Sequence, residues 1–156
     1  MRAVELPSRL SFFGRQAVII EDAWKAARDR HEGYLARHPR SGHAWSNLGY
    51  IHLGLDAPDA ALRAYKHAEA LGYAPGQTAY NLACCQARAG HSDAAFASLE
   101  RAAELGFGIG AYLANDDDLD SLRDDARLAK LQREHPGMMQ GIHDHILQRI
   151  KRAIAL

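Results

Sequence analysis

The sequence has little cysteine, and this scarcity excludes a fold held together by disulfides. Its 156 residues contain only two cysteines, Cys84 and Cys85, which are neighbours in the chain. A disulfide between neighbours on a helix is geometrically unfavourable, so the pair provides no cross-linking framework. The sequence therefore indicates a reducing compartment, and we expect a cytoplasmic protein. A secreted form whose signal peptide has already been removed is the alternative.

The chain also lacks an excess of charge and a long apolar run. The 19 Lys and Arg residues equal the 19 Asp and Glu residues, so no global field would attract nucleic acid or an anionic membrane. Near the N-terminus the longest apolar run is 17–20, and Glu5, Pro7 and Arg9 interrupt any secretory pattern. A membrane span needs about 18 apolar residues. We therefore expect partners to include neither nucleic acid nor membrane.

Sequence patterns of catalysis are missing as well. We find no Ser-His-Asp motif, no glycine-rich phosphate loop and no paired-carboxylate pattern. Cys84 and Cys85 lack Cys-x-x-Cys spacing and have no histidine within one helical turn. Such cysteines usually serve as small, buried hydrophobic residues. We therefore expect no enzyme activity.

Metal-binding patterns are incomplete. His143 and His145 lie two positions apart, and on a helix such residues point in nearly opposite directions. The aspartates of 116–120 mimic the start of a calcium loop, but Ser121 and Arg127 stand where glycine and glutamate are required. We interpret the acidic run as a capped, solvated turn and expect no metal or other cofactor.

The most informative pattern that is present is an internal repeat of 34 residues. When 42–75 is aligned with 76–109, nine positions are identical, whereas roughly two or three would match by chance. A unit of this length cannot bury its own apolar face, so such units must stack. The identical pairs are Gly42/Gly76, Asn47/Asn81, Leu48/Leu82, Asp59/Asp93, Ala60/Ala94, Ala61/Ala95, Ala68/Ala102, Leu71/Leu105 and Gly72/Gly106.

Apolar residues within each unit follow a helical period and predict four helices, near 42–54, 58–71, 76–89 and 93–105. Gly72, Gly90 and Gly106 are predicted to end helices in a left-handed conformation. Asp56 and Ser92 are predicted N-caps, and Pro58 suits a first helical turn.

The repeat resembles the tetratricopeptide repeat, a helix A and helix B unit. The segment 115–128 resembles an acidic tail that follows the last repeat in many bacterial members, with Ala126 and Leu128 where proline and phenylalanine are common. The second repeat also has Ala79 where the first has Trp45. The matching residues are Trp45, Asn47, Leu48, Gly49, Ala61, Tyr65 and Ala68, and then Tyr80, Asn81, Leu82, Ala83, Gly90, Ala95, Leu99 and Ala102.

The resemblance implies an all-α fold: a short right-handed superhelical array of antiparallel helix pairs with a C-terminal capping helix. We expect one domain over 1–156. Its parts are a degenerate repeat half at 22–41, repeats at 42–75 and 76–109, and a helical cap at 110–156, with helices near 110–115, 124–134 and 138–155.

In this family helix A lines a concave groove that holds a partner segment. Asparagines there can hold a peptide backbone, although asparagine also occurs for local structural reasons. Ser46 stands where a carboxylate clamp has lysine, so we expect a neutral, moderately aromatic groove suited to an apolar or mixed peptide. The resemblance assigns to this face His43, Ser46, Asn47, Tyr50, Leu53, Gln77, Tyr80, Asn81, Cys84, Ala87 and Arg88.

The sequence therefore predicts a non-catalytic protein–protein interaction module or scaffold that binds a peptide or helix of an unidentified protein. Homo-oligomeric assembly through the Phe12/Phe13 segment or the last helix is the alternative, because an exposed apolar helix face is costly in a monomer. A regulatory subunit with a small ligand in the groove, or an enzyme, ranks last.

Overall fold

Helices make up nearly all regular structure in residues 21–136, the part of the chain that this computed structural model describes. No strand occurs in these residues. None of their helices combines the length and apolar content that crossing a bilayer requires. The helices are α1 (Glu21–Arg37), α2 (Gly42–Gly54), α3 (Pro58–Ala70), α4 (Pro75–Arg88), α5 (Ser92–Glu104), α6 (Gly110–Leu113), the 3-10 helix (Asp117–Leu122) and α7 (Ala126–Glu134).

The helix positions confirm the four helices predicted from the repeat. The bounds of α3 and α5 differ by 34 residues at both ends, and those of α2 and α4 by 33 or 34. Gly72 (φ +67°) and Gly106 (φ +81°) follow α3 and α5 in the left-handed conformation. Each glycine N–H returns to the helix, to Glu69 and Ala103 at 2.9 Å, as in the Schellman motif. The repeated glycines therefore end equivalent helices.

Two predicted N-caps are wrong, and the same end motif explains one of them. Asp56 adopts φ +55°, and its N–H donates to the carbonyl of Leu53 at 3.0 Å. It thus occupies the position after α2 that glycine takes elsewhere, and Ala57 is the N-cap of α3 without a side-chain bond. Ser92 is already helical, because α5 begins there and His91 precedes it as N-cap. Pro58 opens α3 as predicted.

Close contacts between neighbouring helices build the core of the two repeats. Consecutive helices from α1 to α5 pack on one another. The repeated alanines Ala61, Ala68, Ala95 and Ala102 are fully buried. A Cβ on Gly49 would lie 2.7 Å from a ring carbon of Tyr65, so only glycine lets that ring lie against α2.

Helix α1 covers one end of the repeats. It lies in the degenerate repeat half expected at 22–41 and packs on α2, where Leu35 joins a buried cluster with Ala44, Leu48 and Ala64. Near its start the ring of Trp24 lies edge-on to Tyr50, with 5.8 Å between centroids. The first helix of this degenerate repeat, which the resemblance would place around 8–20, and the Phe12/Phe13 segment lie outside the described residues.

The segment after the repeats covers the other end. The buried side chains of Leu113, Leu119, Leu122 and Leu128 join the cluster formed by α4 and α5. The helices expected near 110–115 and 124–134 are present as α6 and α7, and the turn between them is the 3-10 helix. The helix expected at 138–155, with His143 and His145, lies outside the described residues.

Candidate functional site

Helices α2 and α4 form the two walls of a groove of about 370 Å³. Each contributes four side chains, spaced at i, i+1, i+4 and i+7 in α2 and at i, i+3, i+4 and i+7 in α4, which places them on one helix face. Three pairs of these residues are 34 positions apart, as the repeat requires: Ser46/Tyr80, Asn47/Asn81 and Tyr50/Cys84. Eight of the eleven residues predicted for the face line this groove: Ser46, Asn47, Tyr50, Leu53, Gln77, Tyr80, Asn81 and Cys84.

The end of the groove is aromatic. Phe107 and Tyr112, both from the segment after α5, stack with 5.4 Å between centroids and 12° between ring planes. The ring of Tyr80 lies 5.2 Å from Phe107 and 5.3 Å from Tyr112. Tyr65 of α3 also lines the groove. Phe107 and Tyr112 were not predicted, because the family pattern assigns groove residues only to the first helix of each repeat.

Two buried carboxylates lie at the floor of the groove. Asp116 is 4% exposed and Asp118 is 5% exposed, and both line the groove. The Tyr80 hydroxyl donates to Asp116 Oδ2 at 2.7 Å, and the Asp118 N–H donates to Asp116 Oδ1 at 3.0 Å. The predictions of a neutral groove and of a solvated acidic turn are therefore wrong. Asp116 caps the 3-10 helix as expected of an N-terminal aspartate, but the turn folds inward because Leu119 and Leu122 enter the core.

Arg88 is not offered to the groove. Its Nη1 donates to the carbonyl of Leu53 at 3.0 Å and to Asp118 Oδ1 at 3.4 Å, while Nη2 pairs with Asp56. The side chain is only 5% exposed. Arg88 thus ties the end of α2 and the 3-10 helix to α4. The resemblance assigned Arg88 to the partner-binding face, but its guanidinium is already bound by acceptors on the neighbouring elements.

Two further predicted residues lie beside the groove rather than in it. His43 is exposed, its ring meets Tyr73 edge-on at 5.9 Å, and it lines an adjoining pocket of about 260 Å³ that shares Asn47. The Nδ2 of Asn47 lies 3.5 Å from His43 Nε2. Ala87 is 1% exposed and belongs to the core cluster of α4 and α5.

Cys84 and Cys85 face different surroundings. Cys84 lines the groove, whereas Cys85 packs with Ala61, Tyr65 and Leu82. Burial raises the pKa of both thiols, and nearby aspartates raise it further. No histidine, lysine or arginine is among the described residues that line the groove. Cys84 therefore has neither a cationic neighbour among these lining residues nor a low pKa to activate it as a nucleophile.

One group of side chains approaches a metal site. Ligand atoms of Cys84, Asp116 and Asp118 all lie within 4.8 Å of one another, which sequence spacing could not reveal across some 30 residues. A thiol must lose its proton to bind zinc, and burial raises the pKa of Cys84. Both oxygens of Asp116 already accept hydrogen bonds. The geometry thus favours a hydrogen-bonded acidic floor over a metal centre.

A second groove, of about 510 Å³, lies between α1, α2 and α3. Sequence reasoning missed it because it depends on how α1 packs. Trp45 stacks on His67 there, with 4.1 Å between centroids, and the indole N–H donates to the Pro39 carbonyl at 2.8 Å. Trp45 is therefore held by its own neighbours.

Scans of the chain against models of protein families and against curated proteins returned no match.

Proposed function

We propose that this protein is a non-catalytic interaction module that holds a peptide or helix of another protein in the groove between α2 and α4. The helices would belong to a short right-handed superhelical array of antiparallel pairs, of the tetratricopeptide type, with α6 to α7 as part of the C-terminal cap. The observation that carries the proposal is the convergence of eight predicted residues on one groove.

The surface of the groove supports binding of a peptide. Asn47, Gln77 and Asn81 present amides, which both donate and accept hydrogen bonds and so match a peptide backbone. Tyr50 is 37% exposed and offers a rigid ring at the rim. Aromatic anchors surrounded by polar groups are typical of protein interfaces.

The chemistry of the groove supports binding without catalysis. Its thiol has a raised pKa, and no histidine or lysine is among its described lining residues. The two buried, unpaired thiols also support a reducing compartment, for which we propose the cytoplasm.

The test uses the full-length chain and a displayed library of random dodecapeptides, from which binders are selected. We expect the double variant N47A/N81A to lose at least about tenfold in affinity for the selected peptides, because two backbone-binding amides are removed. N115A is the matched control, since Asn115 is exposed and outside the groove. Fluorescence anisotropy measures affinity, and circular dichroism checks the fold.

Peptides that bind N47A/N81A as tightly as the unchanged chain would overturn the groove assignment. Chemical shift changes in an amide NMR spectrum would locate the bound peptide independently. We expect them to concentrate on α2 and α4.

A further inference from the structure

We propose that the groove selects a segment carrying a lysine or arginine, whose side chain lies along the aromatic rings and whose cationic head binds the acidic floor. The inference rests on the proposed function, because it names the chemistry of the peptide that the groove would hold. The occupant that we propose for the groove is a peptide of another protein, because the charge of the groove is complementary to a basic side chain.

The charge balance of the groove favours a cation. Its described lining residues include two acids, Asp116 and Asp118, and no basic residue. Within residues 21–136, no lysine, arginine or histidine forms an ion pair with Asp116, whose carboxylate accepts only from Tyr80, the Asp118 N–H and, at 4.0 Å, the Cys84 thiol. These donors carry no formal charge. A buried carboxylate without a cationic partner is unfavourable, and a ligand that supplies positive charge would be stabilised there.

Arg88 does not remove this excess. Its guanidinium reaches Asp118 only at 3.4 Å and also serves Asp56 and the Leu53 carbonyl. A second guanidinium, that of Arg123, donates to the main-chain carbonyl of Asp116 at 2.8 Å and to the Asp120 carboxylate at 3.2 Å, but it forms no ion pair with the Asp116 carboxylate. The Asp116 carboxylate therefore stays available to the cation of a ligand.

The aromatic end of the groove suits the rest of such a side chain. The rings of Tyr80, Phe107 and Tyr112 lie within 5.4 Å of one another, centroid to centroid, and the Tyr80 hydroxyl contacts Asp116 of the acidic floor. The methylene stems of lysine and arginine pack on such surfaces while the charged head continues to a polar partner. Cations near aromatic faces gain further electrostatic stabilisation.

The size and rim of the groove limit the ligand to a segment of chain. A volume of about 370 Å³ is at the small end for ligand pockets and would hold one long side chain with its flanking backbone. The amides of Asn47 and Asn81 stand on facing helices at its rim, where they can bind that backbone. An acidic side chain would meet two like charges instead, so the groove discriminates between peptides by the sign of the charge on that side chain.

The central variant is D116N. Asparagine caps a helix as well as aspartate does. Its Oδ1 can still accept from the Asp118 N–H, and its Nδ2 can donate to the Tyr80 hydroxyl oxygen, so the variant removes charge while preserving the fold. D124N is the matched control, since it makes the same change at an exposed position of the same segment that does not line the groove.

The probes are dodecapeptides selected from the random library on the full-length chain, and copies of each with the basic residue replaced by methionine. We expect the selected peptides to share a lysine or arginine. Replacing it should weaken binding at least about tenfold, as the loss of a charge-assisted hydrogen bond would. D116N should weaken the lysine peptide similarly and leave the methionine copy unchanged, while D124N stays within about twofold. The peptide exchange tests the inference even if D116N does not fold.

The outcomes separate this inference from the proposed function. Peptides whose binding needs Asn47 and Asn81, but is unchanged by the methionine replacement and by D116N, would overturn the requirement for a basic side chain. The proposed interaction module would then still stand. Absence of any peptide that depends on those asparagines would overturn both.

Two further arms test the occupant. If spermidine competes with the lysine peptide at equal concentration, the groove binds free amines, and the proposal of a peptide ligand is overturned. A photo-crosslinker at Gln77, which is exposed at the rim, should capture the added peptide. Crosslinks to the same chain or to a second copy instead would overturn a separate partner.

Discussion

At the scale of single residues, glycine and cysteine have their roles set by what surrounds them. Gly49 and Gly33 are both helical, but the space at their α-carbons differs. A Cβ on Gly49 would meet three atoms of the Tyr65 ring at 2.7–2.8 Å, whereas one on Gly33 would meet nothing within 4 Å. The same substitution should therefore have opposite effects at the two sites.

We expect Gly49→Ala to lower the free energy of unfolding by about 1 kcal/mol or more, because a clash costing about 1–3 kcal/mol outweighs the gain in helix propensity. Gly33→Ala, its matched control, should raise it by about 0.5–1 kcal/mol. Urea unfolding followed by circular dichroism measures both. A stabilising Gly49→Ala would show that Tyr65 does not lie against α2.

The buried thiols should be unreactive in the folded protein. Burial raises the pKa of Cys84 and Cys85, and one unit of pKa lowers the thiolate fraction about tenfold. At pH 8 we expect labelling by Ellman's reagent to be more than about tenfold slower than in guanidinium. Cys85→Ala leaves Cys84 as the sole thiol and isolates the groove cysteine. Fast labelling of that variant in its folded state would contradict an inert, buried Cys84.

At the scale of helices, the ends of elements carry the interactions that assemble the site. The Schellman motifs after α3 and α5 follow from repeated glycines and are readable from the sequence. The end of α2 differs, because Asp56 takes the left-handed position and Arg88 reaches it from α4. This contact of Arg88 with a left-handed residue has no counterpart at the ends of α3 and α5, where that residue is glycine. Arg88 joins the groove wall to the acidic floor, because it also donates to Asp118.

Replacing Arg88 by methionine should lower the free energy of unfolding by about 3 kcal/mol, since the change leaves buried acceptors without that donor. In the double variant R88M/D118N the loss should be smaller than the sum of the single losses, which a double-mutant cycle measures. The control is R101M, because the Arg101–Glu69 pair is exposed and contributes below about 1 kcal/mol. Equal losses for R88M and R101M would contradict a structural Arg88.

At the scale of the described molecule, burial is uneven along the array. The core cluster of α4, α5 and the following segment holds 15 buried residues, whereas the cluster of α1, α2 and α3 holds four. Local opening costs least where few apolar contacts are lost. The repeats closest to the acidic floor should therefore be the most stable part.

Hydrogen exchange followed by mass spectrometry should show this gradient. We expect amides in the middle of α4 and α5 to exchange at least about tenfold more slowly than those in the middle of α1, because α1 packs chiefly on α2. Leu35→Ala should speed exchange in α1 with little change in α5. Uniform protection from α1 to α5 would instead indicate a single cooperative unit.

The helices and the two groove walls could be predicted from the sequence because both depend on local information. The 34-residue period, the helical spacing of Asn47 and Tyr50, and the left-handed glycines each act within a few residues along the chain. Because the repeat recurs, α4 takes the same position in the second repeat that α2 takes in the first. The family likeness and the bound partner stay predictions.

The acidic, aromatic character of the groove was decided only by tertiary structure. Asp116 lies 36 residues from Tyr80, and Arg88 lies 30 from Asp118, so no spacing rule connects them. The acidic run looks like a solvated turn until Leu119 and Leu122 draw it into the core. Burial then converts ordinary aspartates into a floor with an excess of negative charge, because the cost of a buried charge depends on its neighbours in space.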